Sequence, residues 1–189
     1  MVRRTACLVL SSAFIALVAA CVSDEDPQAS VPPSCDSYCT EVMQRCGGAN
    51  LQYRDESECR RACQHMDPGT LADANVSSIG CRLSQLRSGN CLAAGPFGGG
   101  VCGARCATFC RMIGAACVGI ASPPFGGSEG TCNEACPSFA LDPGEGEGPN
   151  QAAFPGKNSI NCREHHLILA LKDREPHCGH ADIVSVMCR

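Results

Sequence analysis

The chain is predicted to be a small, mostly α, disulfide-rich protein. It divides into two tandem modules, each a stapled helical hairpin followed by a third helix, with long irregular loops. Three observations predict this class. Eighteen of 189 residues are cysteine, a density at which covalent crosslinks take over from a large apolar core. Aromatic side chains are scarce, with no Trp, two Tyr and six Phe, which argues against a standard large-core enzyme fold. Cysteines also recur in pairs at i and i+4, a spacing that places both sulfurs on one helix face.

The amino-terminal segment is basic at Arg3 and Arg4 and apolar from Ala6 to Val18, and acids begin at Asp24. This is the pattern of an export signal over residues 1–20. The apolar run is shorter than the roughly 20 residues that a membrane span needs. Its end, Leu17, Val18, Ala19, Ala20 and Cys21, resembles the lipobox of bacterial lipoproteins. The resemblance implies that Cys21 is acylated with palmitate-type chains and becomes the mature amino terminus. Cysteine arithmetic agrees: Cys7 leaves with the leader, and acylation of Cys21 leaves sixteen cysteines, an even set. Residues 21–34 read as the lipidated end of an acidic, Pro-rich tether with almost nothing to bury. Such a lipid anchors a protein to the membrane without spanning it. The absence of Asp after Cys21 resembles the rule for sorting to the outer membrane.

The sixteen cysteines form two sets with matching spacing. Cys35-x3-Cys39-x6-Cys46-x12-Cys59-x3-Cys63 opens the first repeat, residues 35–102, and Cys106-x3-Cys110-x6-Cys117-x14-Cys132-x3-Cys136 opens the second, residues 106–188. Spacing identical at x3 and x6, with length changes confined to loops, is the signature of an internal duplication. Only Gly103, Ala104 and Arg105 separate the repeats, so two abutting modules are expected.

Within each repeat the elements follow in order. Cys35, Cys39, Val42, Met43 and Cys46 make one helical stripe, as do Cys106, Cys110, Ile113 and Cys117. Gly47 and Gly48, and Gly126 and Gly127, supply the turns to the second helix, so the two helices of each repeat are expected to run antiparallel. A second helix starts after the capping pair Asp55 and Glu58 in one repeat and after Ser128 in the other. Antiparallel helices pair residues whose numbers have a constant sum. Cys39 with Cys59 and Cys35 with Cys63 both sum to 98, while Cys110 with Cys132 and Cys106 with Cys136 both sum to 242. These four pairs are therefore the expected staples. The partners of Cys46, Cys81, Cys91 and Cys102, and of Cys117, Cys162, Cys178 and Cys188, stay open. A third helix is expected from about Asn75 to Ile79 and from about Asn158 to Ile160, with Leu167, Ile168 and Leu171 adding apolar content. Between the second and third helices of the second repeat, the stretch from Leu141 to Gly156 is rich in Gly, Pro and Glu and reads as a mobile acidic surface loop.

The leader, the Pro-rich tether and the tandem eight-cysteine repeats together resemble the cysteine-rich, disulfide-stapled repeat lipoproteins of myxobacteria and their relatives. The most specific piece is Cys162, Arg163, His166 and Leu167 followed by His177, Cys178, His180 and Ala181, which looks like that family's Cys-Arg-x-x-His-Leu and His-Cys-x-His-Ala blocks. The first repeat departs from it, with Gln85, Asn90 and Ala93 where the second has histidines. The resemblance implies location and fold class and carries no activity with it.

Net charge is -4 and the two lysines are Lys157 and Lys172, so there is no clustered basic surface for a nucleic acid. Most catalytic signatures are missing: there is no Cys-x2-Cys, His-Glu-x2-His or phosphate loop, Gly126 and Gly127 read as loop glycines that follow no strand, and no enzyme is expected. Four of the five histidines, His165, His166, His177 and His180, fall in the last 25 residues. Imidazole is a common ligand of Zn(II) and Cu(II), and His166, His177 and His180 form the candidate set. The other reading gives these rings backbone hydrogen bonds at helix ends and no cofactor. The expected function is a lipid-anchored, extracytoplasmic interaction or structural module of the bacterial cell envelope, with the membrane and an envelope or extracellular protein as partners. The alternatives are a metal-binding lipoprotein that uses the histidine cluster, and a secreted inhibitor-like or toxin-like protein.

Overall fold

A computed structural model describes residues 32–141 and 157–189. The leader, Cys21, most of the tether and the acidic loop at 142–156 lie outside the described residues. The described chain is helical and contains no strand. In order it forms α1 (Cys35–Arg45), α2 (Glu56–Cys63), α3 (Ile79–Arg87), α4 (Cys91–Ala94), α5 (Arg105–Ala116), α6 (Glu129–Ala135), α7 (Ile160–Ala170) and α8 (Arg174–His180), with short 3-10 turns between them.

Local sequence explains where these helices start. Ser34 caps α1, its Oγ accepting from the Ser37 N–H while Ser37 Oγ accepts from the Ser34 N–H, so two otherwise orphan donors are satisfied. Asp55 caps α2 and accepts from the Glu58 N–H at 2.8 Å. Glu58 does not complete the reciprocal box: its carboxylate accepts from the Arg54 N–H at 2.7 Å and is held by the Arg54 guanidinium. Ser78, Ser128 and Ser159 cap α3, α6 and α7. Asn90 caps α4 by accepting from the Ala93 N–H at 3.1 Å. Helices as short as α2 and α6 are marginal on their own, so packing and crosslinks must hold them.

Those crosslinks are, among the described residues, eight disulfides. Cys35–Cys63 and Cys39–Cys59 staple α1 to α2, and Cys106–Cys136 and Cys110–Cys132 staple α5 to α6. Cα separations of 5.6 to 5.7 Å in these four pairs fit antiparallel neighbours. The pairings left open by spacing follow one pattern in both cysteine sets. Cys46–Cys91 ties the end of α1 to α4, and Cys117–Cys178 ties the end of α5 to α8. Cys81–Cys102 and Cys162–Cys188 tie α3 and α7 to the segments that close each set. Each bond contributes roughly 2 to 4 kcal/mol by restricting the unfolded chain.

The fourth helix of each set, α4 and α8, goes beyond the expected hairpin and third helix. Helix α4 has only four residues, fewer than one amphipathic period needs to show itself. Helix α8 is interrupted at Glu175, whose backbone is extended.

The described residues pack as one compact unit, and one apolar cluster runs through both cysteine sets. Its aromatic spine is Phe97, Phe109, Phe125 and Phe139, with successive ring centroids 6.2 to 6.4 Å apart. These four are all the phenylalanines among the described residues, so the sparse aromatics are concentrated where they do most. Two arginines are fully buried at matching places. Arg82 donates to the carbonyls of Gly95, Pro96 and Ser78 at 3.0, 2.8 and 3.1 Å. Arg163 donates to the carbonyls of Ser159 and Cys188, both at 3.1 Å, with its guanidinium 3.7 Å from the Phe139 ring centre. Each buried cation thus pins the end of its own set to a third helix. Arg105, at the start of α5, makes a two-pronged bond to Glu164 of α7 at 2.8 and 2.7 Å.

Candidate metal centre

Helices α7 and α8 pack against each other at the carboxyl end of the chain. His165 and His166 lie on α7, one turn after Cys162. His177 and His180 flank Cys178 on α8, and their i, i+3 spacing puts both rings on one face. Two disulfides fix this geometry from outside the pair: Cys178 is held by Cys117 and Cys162 by Cys188.

The three histidines singled out from sequence come together. Each offers one ring nitrogen, and these atoms all lie within 4.8 Å of one another. His166 Nδ1 is 3.1 Å from His177 Nδ1. The ring centres are 5.4 Å apart for His166 and His177, 4.7 Å for His166 and His180, and 5.7 Å for His177 and His180. Nitrogens bound tetrahedrally to zinc at about 2.0 to 2.1 Å stand about 3.3 Å from one another, and the His166–His177 separation is close to that value. His165 stays at the edge, its ring 5.4 Å from that of His166.

The expected backbone hydrogen bonds of His166, His177 and His180 are not found among the described residues. A proton between the two close Nδ1 atoms makes one ring donor and the other acceptor. His180 Nδ1 is buried and without a hydrogen-bond partner. Burial, and then the neighbouring rings, push His166 down to about 4 from the ordinary 6.5. His177 is lowered chiefly by burial and then by His180, and His180 by burial. All three rings are therefore neutral at physiological pH, the form that ligates metal. The sulfurs of Cys162 and Cys188 also approach His166, but they are bonded to each other, and a disulfide sulfur is no substitute for a thiolate ligand. Of the nearby acids, Glu164 is engaged by Arg105 and Asp182 by the N–H groups of Phe125 and Ile183 at 2.7 Å, while Asp173 stands close enough to His177 to act on its ring.

The first cysteine set provides the same contact with different chemistry. Gln85 and Asn90 occupy the places of His166 and His177, and Asn90 Nδ2 donates to Gln85 Oε1 at 3.4 Å. The scaffold therefore brings these two positions together in both sets, by amides in one and imidazoles in the other.

Sequence reading missed the cleft beside this centre. It lies between α2 and the α7–α8 pair and has His177 as part of its wall. Its residues come from both cysteine sets, so no local pattern announces it.

Protein-family models, curated proteins and solved structures provide no match to this chain. The eight disulfides mark an oxidising, extracytoplasmic compartment. No helix among the described residues is long and apolar enough to cross a membrane.

Proposed function

We propose that the chain is an extracytoplasmic binding protein for one borderline divalent cation, Zn(II) or Cu(II), without a catalytic step of its own, held at the bacterial envelope by lipid on Cys21. The convergence of His166, His177 and His180 within 4.8 Å carries this reading. A purely structural module leaves that cluster without a reason, because Gln85 and Asn90 make the corresponding contact in the first set with amides alone. Neutral imidazoles in a disulfide-locked frame suit a site that must keep its shape in an oxidising compartment, where thiolate sites do not persist. The lipobox resemblance and the even cysteine count support the anchor, which puts the cation site at a membrane surface, and the residue after Cys21 fits sorting to the outer membrane.

Calorimetric titration of the full chain tests the cation reading. The informative comparison is His166→Gln with His177→Asn and His180→Ala, which copies Gln85, Asn90 and Ala93 and so respects the scaffold. One Zn(II) or Cu(II) per chain in the wild type, lost in the triple variant, supports it. Equal and weak binding by both proteins overturns it. The anchor is tested separately, by whether Cys21→Ala abolishes palmitate labelling and detergent-phase partition.

A further inference from the structure

The cleft beside the histidines has a volume of about 340 Å³, within the lower range of small-molecule sites. Arg54 and Arg61 contribute to it from the α2 side, and Lys172 and His177 from the α7–α8 side, with Asp55 and Asp173 as its acids. Three permanent cations face two carboxylates, and one of those carboxylates is already committed, because Asp55 accepts from the Glu58 N–H and from Ser57 Oγ. Arg54 is engaged by Glu58. Arg61 and Lys172 form no ion pair among the described residues. Arg61 donates once, to Ser57 Oγ at 3.1 Å, while its Nε is buried without an acceptor. The guanidinium has five N–H donors and the described residues use one of them, so donors remain for an oxygen ligand in the cleft.

His177 belongs to both sites. Its ring is shared by the histidine cluster and the cleft wall, and three imidazoles would leave the fourth tetrahedral position of zinc open. We propose that the cleft is the oxyanion subsite of the histidine centre. A small ligand of carboxylate or phosphate type places one oxygen on the cation held by His166, His177 and His180, and directs its remaining charge to Arg61 and Lys172. This rests on the reading of the three histidines as a cation site. It makes the cargo a cation–oxyanion pair, in which each partner tightens the binding of the other by the same factor.

The test is titration of the full chain with Zn(II) in sulfate and in perchlorate at matched ionic strength, so that general screening is equal in both. Sulfate supplies the oxyanion and is a poor zinc chelator in solution. The expected result is a Zn(II) dissociation constant about tenfold lower in sulfate, with the ratio falling to about one in Arg61→Gln combined with Lys172→Gln. Lys172 is exposed, so Lys172→Gln alone provides a reduced ratio in a protein that folds whatever Arg61 does for stability. Zn(II) binding that sulfate leaves unchanged, or tightening that survives both substitutions, overturns the subsite and leaves the cation site standing. Absence of Zn(II) binding in either salt overturns the cation site itself.

Discussion

A tyrosine pair and one arginine show how this chain manages polar groups with so little core. Tyr38 and Tyr53 are fully buried and face each other edge on, with the Tyr53 hydroxyl 2.7 Å from that of Tyr38, which in turn donates to the Ala94 carbonyl at 2.6 Å. Burial pushes the Tyr38 phenol up to about 12 and the Tyr53 phenol well above its ordinary value. Because the fold favours the neutral phenols, their contribution is fully present below the unfolded value of about 10 and is lost as pH rises from there towards the folded values. These are the two tyrosines of a chain without Trp, so ultraviolet absorbance reports on them cleanly. The phenolate band should stay absent at about pH 11 and appear only with unfolding; half-ionisation near pH 10 in the folded protein would contradict the buried pair. The second case is Arg82, whose guanidinium fork meets three backbone carbonyls. Arg82→Met strands the Gly95 and Pro96 carbonyls and should cost about 2 to 4 kcal/mol in denaturant unfolding. Arg82→Lys should recover little of it, since an ammonium cannot reproduce the fork.

The helical hairpins were the most legible elements. Cysteines at i and i+4 state a helix face directly, and constant number sums then pair Cys110 with Cys132 and Cys106 with Cys136, since antiparallel helices admit few other contacts. Ser128 and Asp55 likewise announce helix starts by chemistry that acts within four residues. The partners of Cys46, Cys81, Cys117 and Cys162 depend on how the third helix returns across the hairpin, which no local rule states. The histidine site was half legible. The i, i+3 pair His177 and His180 is written in α8, but their meeting with His166 depends on where Cys117 holds that helix. The cleft was not legible, because Arg61 and Lys172 are brought together only by the packing of distant elements. Helix α6, with seven residues, cannot stand without its staples. Replacing Cys110 and Cys132 together by Ala should therefore lower unfolding stability by about 3 kcal/mol, and an unchanged denaturation midpoint would show that packing alone holds α6.

At the scale of the whole molecule, the aromatic spine, in which Phe97 of the first set packs on Phe109 of the second, joins the two cysteine sets, with an exposed Arg111–Asp67 ion pair at 2.6 Å beside it. Phe109 lies between Phe97 and Phe125 and is fully buried. Phe109→Ala should cost about 3 to 5 kcal/mol and loosen both sets in a single transition. Two separate thermal transitions in the wild type would instead mean that the sets fold independently. The disulfide frame and the shared core together hold α7 against α8, and that contact is what brings His166, His177 and His180 together. Native mass spectrometry of the intact protein, loaded with Zn(II) and treated with a thiol-alkylating reagent, tests this most directly, because one spectrum reports both frame and cargo. The expected spectrum shows one Zn(II) per chain with none of the sixteen disulfide cysteines alkylated, and no Zn(II) on the His166→Gln, His177→Asn, His180→Ala variant. A fully oxidised wild-type chain that retains no Zn(II), or that retains it equally in the variant, would contradict the histidine site.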